Sequence, residues 1–232
     1  MFIPLYDYNP LRRIPWPFVT RGLIVVTSLV YVVFQSGLVI VGDQVAAAGF
    51  AVVPVEFFKP VGLRGPLAAI PEPLTFITYL FLHGGWMHLI GNMLFLWVFG
   101  DNVEDAMGHL RFLAFYLICG AAAGLAHAIA VPNSTAPLVG ASGAIAGCLA
   151  AYLILHPRVK LWCLVLGRFP LKISAMWAIG AWIVFQVVSV YVIPDDETAW
   201  WAHIGGFVVG AALIPIFRHR DVPLFDRGLP AA

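Results

Sequence analysis

A serine hydroxyl is a weak nucleophile until a neighbouring base takes its proton, and histidine is the usual base near neutral pH. Ser142, within Gly140-Ala141-Ser142-Gly143, and His203, within Ala202-His203-Ile204-Gly205-Gly206, are the candidates for those roles. A third, acidic member would normally orient the imidazole. No Asp or Glu falls inside any of the apolar spans delimited below, so the sequence allows a Ser-His dyad and disfavours a triad. A developing oxyanion needs preorganised donors. The backbone N–H groups of a helix opening at Ser142 could supply them, helped by the helix dipole, together with His88 and Asn92. Those two are four residues apart and share one helix face.

Such a site must be built in lipid. The 232 residues are 61% hydrophobic and only 11% charged, with mean hydropathy +0.91, against roughly 45–50% and 25% in soluble domains. Thirteen Lys and Arg against twelve Asp and Glu leave a net charge of +1, which excludes a nucleic-acid footprint. Three cysteines without paired spacing give neither a disulfide framework nor a thiolate metal site.

Spans of about 17–25 apolar residues cross a bilayer. Six are expected, over 23–41, 83–99, 112–130, 142–156, 173–192 and 200–217, with 73–82 as a membrane-embedded approach to the second. The expected fold is all-α, a six-helix transmembrane bundle (20–217) between a short arm (1–19) and a tail (218–232). With six spans, one side collects Arg12, Arg13, Arg21, Arg111, Arg158, Lys160, Arg168, Lys172, Arg218, Arg220 and Arg227, leaving Lys59 and Arg64 opposite. Cytoplasmic loops carry the excess of Lys and Arg, so both termini are expected in the cytoplasm, and the membrane is expected to be a bacterial inner membrane.

Charges at span ends also gauge depth. Ser142 precedes Arg158 by sixteen residues and His203 precedes Arg218 by fifteen. At about 1.5 Å per residue both sit roughly 22–24 Å above the cytoplasmic face, below the external surface of a core about 30 Å thick. His88 and Asn92, counted back from Asp101, fall about 20 and about 14 Å up. The four converge on one pocket that water must enter from outside. Gly143 and Gly147 on the fourth span, and Gly206 and Gly210 on the sixth, form small-residue ridges that let two backbones approach closely. His83 and His127 read as structural groups, Trp86, Trp97, Trp200 and Trp201 as interfacial or lipid-facing aromatics, and Asp195, Asp196 and Glu197 as solvated charges.

His83–Met93 (HGGWMHLIGNM), Gly140–Gly143 (GASG) and Ala202–Gly210 (AHIGGFVVG), in that order, resemble the intramembrane serine proteases of the rhomboid family. The resemblance spans roughly residues 20–217. It implies Ser142 as nucleophile, His203 as general base and His88 and Asn92 as oxyanion donors, with Gly140, Gly143 and Gly206 shaping the site. It also implies cleavage of single-span or polytopic membrane proteins near the membrane boundary, with no metal or cofactor, and the fifth span as a substrate gate. Two positions depart from the pattern. Leu74-Thr75 replaces a frequent Trp-Arg pair, and Ala146 stands where many members carry an aromatic that stacks on the histidine, so here the imidazole must be oriented some other way. Two other readings are a catalytically silent, client-binding relative and a haem or metal protein ligated by His88, His127 and His203.

Overall fold

The computed structural model describes residues 2–39, 49–59, 70–165, 167–193 and 199–225. Asp195, Asp196, Glu197, Arg64 and Arg227 lie outside them. In chain order the elements are β1 (Phe2–Asp7), α1 (Phe18–Val30, continued by a π-helical turn Tyr31–Gln35), α2 (Pro54–Phe58), α3 (Glu72–Thr78, continued by a 3₁₀ turn Tyr79–Phe81), α4 (Trp86–Met107), α5 (His109–Ala130), α6 (Ser142–Leu155), β2 (Lys160–Val165), β3 (Phe169–Ser174), α7 (Ala175–Val192) and α8 (Trp200–Phe217).

Among the described residues four stretches are long and apolar enough to cross a membrane: Phe18–Gln35, α5, α7 and α8. The two other expected spans also form helices. Of these, α6 has only 14 residues, while α4 has 22 and runs well past its expected end at Phe99. It does so because each acid in its last turns has a partner. The Asp101 carboxylate accepts from the backbone and side chain of Asn102. Glu104, fully buried, accepts from the Val19 and Thr20 amides at 3.0 and 2.8 Å and from the Thr20 hydroxyl at 2.7 Å, and pairs with His109 Nδ1. Asp105 gathers the amides of Arg12, Arg13 and Ile14. Glu104 thereby satisfies donors that the start of α1 would leave orphaned. The first helix begins at Phe18 rather than Leu23, and the Arg21 guanidinium that this includes stacks 4.1 Å over Trp16. The expected end of that span at Val41 lies outside the described residues.

The all-α expectation is corrected by a three-stranded antiparallel sheet of order β1-β2-β3. Phe2 pairs with Val165 and Asp7 with Leu161, while Lys160 pairs with Ser174 and Val165 with Phe169. Buried Leu161 and Cys163 alternate with exposed Lys160 and Trp162 along β2, the period-two pattern of a half-buried strand, and Gly167 takes the left-handed conformation (φ +66°) that the hairpin needs. The sheet is tied to the bundle through Asp7, whose carboxylate accepts from Tyr152 Oη at 2.6 Å and from Asn102 Nδ2 at 3.3 Å. Burial pushes the Asp7 carboxyl up to about 7.

The core is aromatic-rich, with Phe99, Phe112, Phe115, Tyr116 and Tyr152 fully buried. At its centre α6 and α8 meet backbone to backbone. A Cβ on Gly206 would come within 2.8 Å of the Gly143 carbonyl carbon, and one on Gly210 within 2.5 Å of Gly147 Cα. The two glycine ridges read from the sequence therefore face each other, the close approach that small residues permit.

Candidate active site

Ser142 is the first residue of α6, and His203 lies in the first turn of α8. Because Gly143 and Gly206 bring these helices together beside both side chains, His203 Nε2 lies 2.8 Å from Ser142 Oγ. That is normal hydrogen-bond length, and with the ring proton on Nδ1 the Nε2 lone pair accepts the serine proton. Both residues line a cavity of about 460 Å³, together with His88, Asn92, His127 and Trp182. Among the described residues no Asp or Glu lines it.

Gly140 has φ +121°, a conformation that side-chain-bearing residues rarely adopt. A Cβ there would also lie 2.8 Å from His88 Cε1 and Nε2, and 3.6 Å from Asn92 Nδ2. The missing side chain thus lets the two polar groups of α4 close over the chain two residues before Ser142. His83 fills a supporting position: its Nε2 accepts from Asn92 Nδ2 at 2.9 Å, and its backbone is held by Gln35 at 3.2 and 3.0 Å. One amide hydrogen of Asn92 is thereby fixed on His83, and the other remains for the cavity. The first N–H groups of α6 have no intrahelical acceptor, which leaves a donor-rich rim around Ser142.

Two groups on His203 were not anticipated from the sequence. Gln186 Oε1, from α7, lies 2.6 Å from His203 Nδ1. One turn earlier on that helix the Trp182 ring sits 5.8 Å from the imidazole, tilted by 41°. With Ala146 in α6 unable to cover the ring, α7 supplies the aromatic neighbour instead. Both residues could have been suspected from sequence, since Gln186 is a strongly polar group inside an apolar span and lies four residues after Trp182, on the same helix face.

His127 lines the cavity but makes no hydrogen bond to the serine–histidine pair, and its buried Nδ1 has no partner among the described residues. Among the described residues no group of three or more His, Cys, Asp and Glu is arranged to hold a metal, so His88, His127 and His203 do not form a ligand cluster. Trp86, Trp97 and Trp201 are exposed, whereas Trp200 lies nearly perpendicular to the His203 ring, 6.4 Å between ring centroids. At Leu74-Thr75, α3 is anchored without the Trp-Arg pair. Its Thr78 hydroxyl donates to Phe50 O at 2.7 Å, and Phe76 and Tyr79 pack over Gly124 of α5.

Apolar helices of membrane-crossing length around a cavity that holds a hydrogen-bonded serine and histidine define an integral membrane protein with a candidate nucleophilic site. The chain belongs to the rhomboid family, with residues 71–220 matching the Rhomboid domain. It is 31% identical over 166 residues to Rhomboid-like protein 11, chloroplastic, of Arabidopsis thaliana, covering 68% of this chain and 58% of that protein. Rhomboid protease GluP of Bacillus subtilis (strain 168) is 36% identical over 139 residues, 59% of this chain and 25% of GluP. Rhomboid-related protein 3 of Mus musculus is 29% identical over 237 residues, 97% of this chain and 54% of that protein. The chain thus spans 25–58% of the length of these relatives.

Proposed function

We propose that this protein is an intramembrane serine endopeptidase that cleaves transmembrane proteins near the external membrane boundary. The observation that carries the reading is the 2.8 Å contact between Ser142 Oγ and His203 Nε2 in an open, polar-rimmed cavity. Oγ attacks the scissile carbonyl carbon as its proton passes to Nε2, and the carbonyl electron pair moves onto oxygen. His88, Asn92 and the N–H groups opening α6 receive that oxyanion, where loss of one donor typically costs 10²–10³ in rate. Collapse breaks the C–N bond, and the leaving amine takes the proton from Nε2. Water, deprotonated by the same nitrogen, then hydrolyses the ester and restores Ser142. None of these steps calls on a metal or cofactor.

Six crossings with both termini cytoplasmic account best for the placement. Fourteen residues make α6 about 21 Å long, shorter than a bilayer core of about 30 Å. With the end of α6 near Arg158 at the cytoplasmic face, Ser142 stays below the external surface. The ion pair of Arg13 with Asp221 joins the segments before α1 and after α8 at one end of the bundle, which supports an even number of spans.

Detergent-purified protein is expected to cleave a model single-span substrate and to be labelled at Ser142 by a fluorophosphonate. Ser142→Ala and His203→Ala abolish both with little change in thermal unfolding temperature. Folded wild-type protein that neither labels nor cleaves would place the chain among silent, client-binding relatives, and undiminished turnover in either variant would overturn the mechanism.

A further inference from the structure

A dyad leaves the far nitrogen of its base unexplained, and here that nitrogen is occupied. Gln186 Oε1 lies 2.6 Å from His203 Nδ1, and Gln186 is 3% exposed, one of five buried residues on α7. A carboxamide oxygen is an acceptor that does not ionise, so the short contact requires the ring proton on Nδ1. That tautomer leaves the Nε2 lone pair aimed at Ser142 Oγ, 2.8 Å away. With the proton on Nε2 instead, the ring would meet the serine with a donor and could not take its hydrogen. We infer that Gln186 is a positioning residue for His203, the third member of a hydrogen-bonded Ser142–His203–Gln186 line, and that Trp182 beside it on α7 limits rotation of the ring. The inference rests on the dyad reading above and extends it.

An amide suits this place. A carboxylate buried in the membrane carries a large desolvation cost unless fully paired, whereas a neutral acceptor fixes the tautomer without that cost. Its limit is that it offers a partial rather than a full negative charge to the imidazolium formed during the reaction. Among the described residues, the other titratable groups facing the cavity are His88 from α4 and His127 from α5, with no carboxylate in its lining. A carboxylate introduced at position 186 would therefore be the one anion beside His203 among the described residues.

The test uses the full-length protein in detergent, with fluorophosphonate labelling of Ser142 and cleavage of a single-span substrate followed across pH. Gln186→Leu is expected to label about 10²-fold more slowly per folded molecule, within the range that positioned base catalysis contributes. Gln186→Glu keeps the acceptor, retains labelling, and moves the acid limb of the pH profile upward by about one unit or more, because an anion beside the imidazolium favours its protonated form. A merely structural Gln186 would change the yield of folded protein in both variants and leave the acid limb in place. An ¹⁵N-edited spectrum of histidine-labelled protein reads the same bond without turnover, as a downfield, exchange-protected Nδ1–H resonance of His203 that is lost in Gln186→Leu. Wild-type labelling rates in the leucine variant, or an unmoved acid limb in the glutamate variant, would overturn the inference while leaving the dyad standing. A wild type that never labels would overturn both, and a wild type with no protected Nδ1–H would overturn the positioning role alone.

Discussion

Substituting Gly206 by alanine tests whether backbone contact between α6 and α8 sets the reacting distance. The added Cβ would lie 2.8 Å from the Gly143 carbonyl carbon and nearer still to its oxygen, with Ala123 Cβ at 3.4 Å behind it. Both near atoms are backbone, so no rotamer change relieves the clash, and the helices must separate by about 1 Å to restore ordinary contact. Carried to the side chains, that separation stretches the Ser142–His203 hydrogen bond from 2.8 Å to about 3.8 Å, beyond hydrogen-bond reach. Overpacking of this kind costs about 1–3 kcal/mol, and losing the base from the nucleophile costs about 10²–10⁴ in rate. Gly206→Ala should therefore lower the unfolding temperature by several degrees and reduce fluorophosphonate labelling per folded molecule at least 100-fold. Gly22→Ala, where a Cβ meets nothing within 4 Å, is the matched control with normal labelling. A Gly206→Ala protein with wild-type labelling and unchanged unfolding temperature would refute the argument that this contact sets the site.

Two further predictions concern the end of the bundle remote from Ser142. Glu104→Ala strips acceptors from the Val19 and Thr20 amides, the Thr20 hydroxyl and His109. It should destabilise by about 3–5 kcal/mol, read as a large fall in unfolding temperature, with Glu104→Gln milder because it keeps one acceptor oxygen; unchanged stability in Glu104→Ala would contradict the hub assigned to this carboxylate. The Asp7 carboxyl is raised to about 7 from 3.8, so the folded state holds its proton more tightly than the unfolded chain. Stability is then fully present below about pH 4 and falls by at most about 4 kcal/mol as the pH rises to about 7, flattening above. Asp7→Asn, which still accepts from Tyr152, should remove that slope in unfolding scans between pH 5 and 8, and persistence of the slope would assign it to another group.

Much of the site could be read from the chain because its logic is local or periodic. Trp200–Phe217 is delimited by charge at both ends, and counting residues from Arg158 and Arg218 placed Ser142 and His203 at one depth. Four-residue glycine spacing pointed to the α6–α8 contact. What escaped depends on partners distant in sequence. The sheet pairs residues 2–7 with 161–165, and strand pairing over such separation leaves no periodic trace. Helix α4 passes through three acids because their partners come from residues 12–20, 102 and 109. Gln186 escapes a reading that expects an acidic orienting group, although an un-ionised acceptor is the less costly solution in lipid.

The contrast between α6 and α7 bears on timing. Eleven of the 14 residues of α6 are buried, and its glycines are pressed against α8, whereas α7 buries five of 18 and presents Trp177, Val184, Val188 and Tyr191 outward. Ser142 and His203 therefore sit on two helices whose backbones touch, while Gln186, which meets the imidazole, sits on a helix that makes no such backbone contact with either. An entering polypeptide that pushes α7 aside would leave the Ser142–His203 spacing intact and release the imidazole to flip its proton to the wrong nitrogen. Under the function proposed above, hydrolytic competence would then return only as α7 settles back, so that cleavage would follow engagement by an interval set by one helix's return.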